Sequence, residues 1–135
     1  MYIIIVGCGR LGSILSEELS DAGHNVSVID NESKKLDALG SGFNGLSVKG
    51  VEYDNNVLKE AGIGHADYII SLTNDDNLNI TVSLVAKEIF KVNRVLARVN
   101  EPRKKDVYEL LDIEMINPTE IISYIIKSKI EEKHR

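Results

Sequence analysis

The chain has 135 residues, with 21 acidic and 16 basic side chains and a formal net charge of −5 at pH 7. This length predicts one domain that folds without disulfide bonds or a bound metal. The acidic balance argues against a nucleic-acid-binding surface. The lone cysteine, Cys8, excludes an internal disulfide and fits a reducing compartment. No apolar run approaches the roughly 18 to 20 residues of a membrane span, so we expect a cytoplasmic protein with no direct membrane insertion.

The first predicted elements are a strand over Tyr2–Val6, a glycine-rich loop and a helix. The loop reads Gly7-Cys8-Gly9-Arg10-Leu11-Gly12. In this pattern the first glycine permits a tight turn, the second lets backbone amides approach a pyrophosphate, and the third lets the helix pack closely on the strand. The positive end of the helix favours phosphate. For Cys8, a small side chain that fits the turn is favoured over a reactive thiol.

The second predicted strand, Asn25–Ile29, is followed directly by Asp30. An acid at this position accepts hydrogen bonds from ribose hydroxyls and repels a 2′-phosphate, so we expect NAD(H), ATP, ADP or AMP rather than NADP. A short helix over Ser33–Leu39 then ends at Gly40-Ser41-Gly42, and a brief third strand covers Leu46–Val48.

The rest of the chain continues the alternation of strands and helices that is typical of a parallel sheet covered on both faces. In chain order we predict a helix over Asn56–Ala61, a strand over Tyr68–Leu72, a long helix capped by Asp75 or Asp76 and ending at Phe90, a strand over Arg94–Val99, a helix from Pro102 to Leu111 and a strand at Met115-Ile116. The buried stripe of the long helix is expected to be Ile80, Leu84, Val85, Ile89 and Phe90. The fold class is therefore α/β, a Rossmann-like doubly wound parallel sheet of six strands.

A terminal helix from Thr119 to about Lys133 carries isoleucines on one face: Ile121, Ile122, Ile125, Ile126 and Ile130. Such a face has to be covered by the chain's own sheet, by a symmetric partner or by a domain that follows in a longer chain.

Ligands of open parallel sheets bind beyond the carboxyl ends of the strands, where the strand order reverses. Besides the glycine loop, this rule gathers Asp30, Asn31, Gly50, Val51, Glu52, Thr73, Asn74 and Arg98. Arg10 and Arg98 are the candidate phosphate partners, because a guanidinium binds phosphate oxygens in a fork. The sequence therefore predicts a site for an adenine nucleotide.

No residue pattern predicts catalysis or a metal site. The histidines His24, His65 and His134 fall at a helix-end turn, a loop and the C-terminal tail, away from the predicted crevice, and no Cys/His cluster has metal-ligand spacing. Two other functions stay open at this point. One is a small NAD-dependent oxidoreductase or the cofactor domain of one, and the other is a free-standing redox or nucleotide sensor.

Five further segments follow one another in order: Val57-Leu58-Lys59-Glu60-Ala61-Gly62-Ile63, Ala66-Asp67, Thr73-Asn74-Asp75-Asp76-Asn77-Leu78-Asn79, Ala97-Arg98-Val99-Asn100 and Ile116-Asn117-Pro118-Thr119. With the glycine loop and Asp30, this series resembles the TrkA-N or RCK (KTN) domain, the cytosolic nucleotide-sensing module of bacterial and archaeal potassium transporters and channels. The resemblance runs nearly end to end.

The resemblance implies a regulatory domain, not an enzyme, that binds an adenine nucleotide and gates a potassium transporter or channel by a ligand-dependent conformational change. It implies that the glycine loop and Arg10 hold phosphates and Asp30 the ribose, while Thr73, Asn74 and Arg98 line the rest of the site.

One departure from the family pattern concerns the adenine. The position of Val51 would adjoin the base, and family members commonly carry Asp or Asn there. A valine side chain cannot hydrogen-bond the adenine amino group, so backbone groups or Glu52 would have to substitute.

Family members assemble as dimers and often as octameric rings on the cytosolic face of a membrane-embedded potassium pore, frequently with a second C-terminal domain. The resemblance therefore divides this chain into a Rossmann-like nucleotide-binding domain, residues 1–118, and a C-terminal crossover or dimerisation helix, residues 119–135. It implies a location peripheral to the inner face of the membrane, through a transporter subunit.

Overall fold

The computed structural model of this protein describes residues 1–133. Within them, one parallel sheet is formed by strands β1 (Tyr2–Val6), β2 (Asn25–Asp30), β3 (Leu46–Lys49), β4 (Tyr68–Ser71), β5 (Arg94–Arg98) and β6 (Glu114–Ile116). Their order across the sheet is β3-β2-β1-β4-β5-β6, with every neighbouring pair parallel. The predicted fold class and the six strands are confirmed. The order reverses between β1 and β4, which is where a ligand crevice is expected.

Among the described residues, five α-helices lie between successive strands and a sixth follows β6. They are α1 (Arg10–Asp21), α2 (Ser33–Leu36), α3 (Asn55–Glu60), α4 (Asp76–Leu84), α5 (Lys105–Leu110) and α6 (Pro118–Lys133). Helix α2 is shorter than the predicted Ser33–Leu39, because the amides of Ala38 and Leu39 donate three residues back, to Lys35 and Leu36, and so tighten the chain out of the α-helix. The predicted helix from Pro102 likewise begins as a 3₁₀ turn, Pro102–Lys104.

The core has one apolar layer on each face of the sheet. Ile4 and Val6 of β1 pack into one layer, and their neighbours Ile3 and Ile5 pack into the other. This alternation is the pleat of a strand that is buried on both faces, and it explains why the sequence of β1 is a continuous apolar run.

The predicted buried stripe of α4 is wrong at Ile89, which is 59% exposed. Residues Val85–Ile89 form a π-helical turn instead of continuing the α-helix. The extra residue per turn rotates Ile89 away from the sheet. The residues that α4 buries are three polar ones, Asp76, Asn79 and Ser83, and the apolar Val82.

The isoleucine face of α6 is uncovered within this chain. Its five isoleucines, at positions 121, 122, 125, 126 and 130, are between 41% and 57% exposed. Among residues 1–133 the chain's own sheet therefore does not cover this face, and a symmetric partner or a following domain remains the prediction. No helix among residues 1–133 is both long and apolar enough to cross a bilayer.

Candidate functional site

A cleft of about 930 Å³ opens above the carboxyl ends of the central strands, at the predicted reversal of strand order. Most of the predicted site residues line it: Gly7, Gly9, Arg10, Leu11, Gly12, Asp30, Asn31, Glu52, Thr73, Asn74 and Arg98. Cys8 and Val51 do not. The structure thus brings residues from the carboxyl ends of five strands, and from the segments that follow them, into one concave surface.

The three glycines of the glycine loop lie in different surroundings. Gly7 has a φ of +101°, which a side chain would strain, and its amide donates to the Ile29 carbonyl at 2.8 Å. A Cβ on Gly12 would lie 1.9 Å from the Gly7 carbonyl oxygen, so only glycine lets α1 sit this close to β1. A Cβ on Gly9 would meet no protein atom within 4 Å. Packing therefore explains Gly7 and Gly12, whereas Gly9 faces the open cleft.

Helix α1 begins at this loop without a side-chain cap. Gly9 is the N-cap residue, and no side chain accepts a hydrogen bond from the first turn. The amides of that turn have no acceptor within the helix, so they present donors and the positive end of the helix dipole. The exposed side chain of Arg10 follows directly and lines the cleft. This arrangement suits an anion.

Cys8 lies in the core beneath the loop, 1% exposed, beside apolar residues of β1 and β2. Burial, together with the negative charges of Asp30 and Glu17, raises the pKa of its thiol to about 11. The thiol is therefore protonated at neutral pH and unreactive. This agrees with the interpretation of Cys8 as a small side chain that fits the turn, and only its backbone takes part in the site.

Asp30 closes β2 and ties the glycine loop to the next turn. Its side chain is 3% exposed, and its two oxygens accept hydrogen bonds from the amides of Cys8 and Glu32, each at 2.9 Å. A carboxylate has about four acceptor sites, so two remain for a ligand's hydroxyl groups. Asp30 thus supports the shape of the loop as well as lining the cleft.

The side chains of Val51 and Glu52, the two candidates for the base end of the site, differ in where they lie. Val51 starts a tight turn, closed by the Asp54 amide on its carbonyl at 3.0 Å, and its side chain is 48% exposed outside the cleft. Glu52 turns inward, is 4% exposed, and accepts from the Asn31 amide at 3.3 Å. The polar group that the structure offers here is therefore the Glu52 carboxylate.

Glu52 is expected to cost stability at neutral pH. Burial raises the pKa of its carboxyl above the ordinary 4.5, and the charge of Asp30 adds to the rise. Because the folded state holds this proton more tightly than the unfolded state, the group's stabilising effect is complete below pH 4.5 and is lost as the pH rises through the folded pKa. We expect Glu52→Gln to raise Tm by roughly 2 to 5 °C at pH 7 and to leave it unchanged at pH 4.

Scanning calorimetry at the two pH values tests this expectation, with the exposed Glu60→Gln as the matched control. An equal change of Tm at both pH values would show that the charge of Glu52 is not the cause.

The far side of the cleft is formed by the ends of β4 and β5, which Asn79 of α4 joins. The Asn79 Oδ1 accepts from the Thr73 hydroxyl at 2.6 Å and from the Thr73 amide at 3.1 Å, while its Nδ2 donates to the Arg98 carbonyl at 2.9 Å. Asn79 is completely buried. It therefore holds Thr73 and Arg98 at a fixed separation across the floor of the site.

Charge is unevenly distributed along the cleft. The acids Asp30, Glu32 and Glu52 lie with Lys35 over β2 and β3, while Asp75 and Arg98 lie at the ends of β4 and β5, and Arg10 and the open end of α1 lie between the two groups, so the side over β2 and β3 is the more negative. A ligand with hydroxyl groups at one end and phosphates at the other matches this order.

Sequence reasoning missed several residues that line the cleft: Ile14, Glu32, Lys35, Leu72, Asp75, Leu78, Pro118 and Ile122. Leu72 and Asp75 flank the predicted Thr73-Asn74 turn, so their place at a strand end was an available signal. No sequence signal indicates that Pro118 and Ile122 line the cleft, because their position depends on the direction in which α6 leaves the sheet.

His24 and His65 lie outside the cleft. His24 contacts the N-terminal amino group at 3.1 Å, and His65 stacks edge-on with Tyr2 at 4.7 Å between ring centroids. His134 lies outside the described residues. Among residues 1–133, no group of three His, Cys, Asp or Glu side chains is placed to hold a metal ion.

Comparison with known proteins gives one family. The TrkA-N domain model matches residues 3–118. The Trk system potassium uptake protein TrkA of Streptomyces coelicolor is 43% identical over 113 residues, which are 84% of this chain and 51% of that protein. The chain spans about half the length of this relative and of the TrkA homolog of Pyrococcus abyssi.

Solved structures of the same fold include two of GsuK. The GsuK channel bound to NAD superposes with a TM-score of 0.80 at 25% identity, covering 98% of this chain and 24% of that one. GsuK bound to ADP gives a TM-score of 0.78 at 25% identity, covering 98% of this chain and 34% of that one.

Proposed function

The chain belongs to the TrkA-N domain family, and we propose that it is a nucleotide-binding regulatory domain of a potassium uptake system. One observation carries the proposal. Gly9, whose Cβ position is empty of protein atoms, stands at the uncapped start of α1, inside a cleft that also presents Asp30 and Arg98. Backbone amides at the start of a helix bind an anion when no protein group accepts from them. The carboxylate of Asp30, at the end of the neighbouring strand, suits the hydroxyl groups of a ribose.

The proposed ligand is an adenine nucleotide, NAD(H) or ATP, ADP or AMP. In the proposed arrangement the glycine loop and Arg10 bind phosphate, Asp30 binds the ribose hydroxyls, and Glu52 lies at the base end. Thr73, Asn74 and Arg98 close the other side. The order of charge along the cleft supports this orientation, and so do the NAD and ADP named for the two GsuK structures.

The proposed mechanism is regulation by binding, with no bond broken. A ligand that binds two arrangements of the assembly unequally shifts the balance between them, and that shift gates the pore. The proposed role is non-catalytic, in keeping with the potassium uptake proteins named TrkA among the relatives.

The proposed partners are a second copy of this chain, further copies in an octameric ring, and a membrane-embedded potassium transporter subunit, at the cytoplasmic face of the membrane. The exposed isoleucine face of α6 supports the dimer, and residues 119–135 are its proposed dimerisation helix. A monomer at all concentrations in sedimentation experiments would contradict the homodimer.

Potassium uptake in cells that lack the gene tests the function. The unaltered gene should restore uptake, the double variant Arg10→Ala/Asp30→Ala should fail to restore normal regulation, and the exposed Asp37→Ala should behave as the unaltered gene. Normal uptake with the double variant would count against the proposal. Turnover of NADH by the purified chain with any metabolite would instead favour the oxidoreductase.

A further inference from the structure

The guanidinium of Arg98 is held by a neutral partner. Its Nε donates to the Asn100 Oδ1 at 2.7 Å, and no carboxylate among residues 1–133 forms an ion pair with it. Arg98 lines the cleft. A carboxylate partner would cancel much of the arginine's charge, whereas an amide fixes the side chain and leaves the charge and the terminal N–H groups for an anion.

The orientation of the Asn100 amide is dictated by its other neighbours. Its Nδ2 lies 3.1 Å from the Thr73 carbonyl oxygen and 3.2 Å from the Asp76 Oδ1. Both of these oxygens only accept hydrogen bonds, so the NH₂ end of the amide must face them. The Oδ1 is therefore directed at Arg98.

Asp76 is in turn fixed as a buried carboxylate. It is 5% exposed and accepts from the amides of Asn100 at 2.7 Å and Glu101 at 3.0 Å, and from the Tyr108 hydroxyl at 3.1 Å. Burial opposes ionisation, but the hydrogen bonds from Asn100, Glu101 and Tyr108 prevail and lower the pKa of this carboxyl. Asp76 therefore remains an acceptor at neutral pH.

We propose that Asn100, oriented by Asp76, is a positioning residue that aims the Arg98 guanidinium at a phosphate group of the bound nucleotide. This inference rests on the proposed nucleotide-binding function. It adds Asp76, the first residue of α4, and Asn100, in the loop after β5, to the residues that determine affinity for the anionic part of the ligand.

A double-mutant cycle with ADP tests the inference, using the complete chain. We expect Asn100→Ala to weaken ADP binding about tenfold, because Arg98 loses its fixed direction. In the Arg98→Ala background the same substitution should change ADP affinity by less than about twofold, because the residue through which Asn100 acts is already absent. Asn93→Ala, an exposed asparagine at the opposite end of β5, is the matched control.

Three results would overturn the inference: unchanged ADP affinity of Asn100→Ala, a full tenfold loss on top of Arg98→Ala, or an equal fold loss for adenosine, which has no phosphate. If circular dichroism shows that Asn100→Ala is unfolded, Asn100→Ser replaces it, since serine keeps a polar side chain but removes the amide oxygen that Arg98 binds. If the unaltered chain binds no nucleotide, the proposed function fails, and this inference fails with it.

Discussion

Alanine at Gly12 is expected to destabilise the domain strongly, whereas alanine at Gly9 is expected to leave the fold intact and weaken nucleotide binding. A Cβ at position 12 would lie 1.9 Å from the Gly7 carbonyl oxygen and 3.0 Å from its carbon. The atoms of Gly7 that the Cβ would meet belong to the backbone, so the clash is relieved only if α1 moves away from β1. We therefore expect the free energy of unfolding to fall by about 3 kcal/mol or more.

Gly9 has a backbone conformation, φ −77° and ψ −161°, that alanine adopts, and its Cβ would enter open space. We expect Gly9→Ala to cost no more than about 1 kcal/mol of stability. It should weaken ADP binding by at least about tenfold, because the methyl group occupies the path of the phosphate to the amides of α1.

Denaturant unfolding and calorimetry measure the two effects separately. Gly64→Ala is the control, since a Cβ there also meets nothing within 4 Å but lies far from the cleft. If Gly9→Ala bound ADP as tightly as the unaltered chain, the phosphate would have to bind elsewhere.

Asp30→Ala is expected to weaken ADP binding by roughly a hundredfold, since two charge-assisted hydrogen bonds to the ribose are lost together. Stability should fall as well, because the amides of Cys8 and Glu32 both lose their acceptor. The exposed Asp37→Ala, seven residues further along, controls for the loss of one negative charge. Calorimetric titration gives the affinity, and a loss no larger than that of Asp37→Ala would mean that Asp30 does not contact the ligand.

Much of the fold could be predicted because its determinants are local. The apolar run of β1 indicates a strand buried on both faces, and the spacing of Gly7 and Gly12 predicts the turn and the close helix that the structure contains. Asp75 was one of two candidates for the cap of α4, and its carboxylate accepts from the amides of Asn77 and Leu78. Each of these features depends on residues within a few positions of one another.

The features that escaped prediction depend either on local turns of the backbone that the residue pattern does not encode or on distant parts of the chain. A regular helix would bury Ile89, but the π turn that displaces it is invisible in the hydrophobic pattern. Val51 and Glu52 are adjacent, and only the turn closed by Asp54 determines which of them faces the cleft. No local signal indicates the role proposed for Asn100, because that role depends on Asp76, 24 positions earlier in the chain.

The first measurement is a calorimetric titration of the purified chain with ATP, ADP, AMP, NAD⁺ and NADH, run in parallel on Gly9→Ala and Asp30→Ala. If the cleft above β1 and β4 is a nucleotide sensor site, at least one of these ligands binds, the ligands differ in affinity, and both variants bind more weakly while remaining folded. Absence of binding by the unaltered chain, or equal binding by both folded variants, would contradict a nucleotide site at the start of α1.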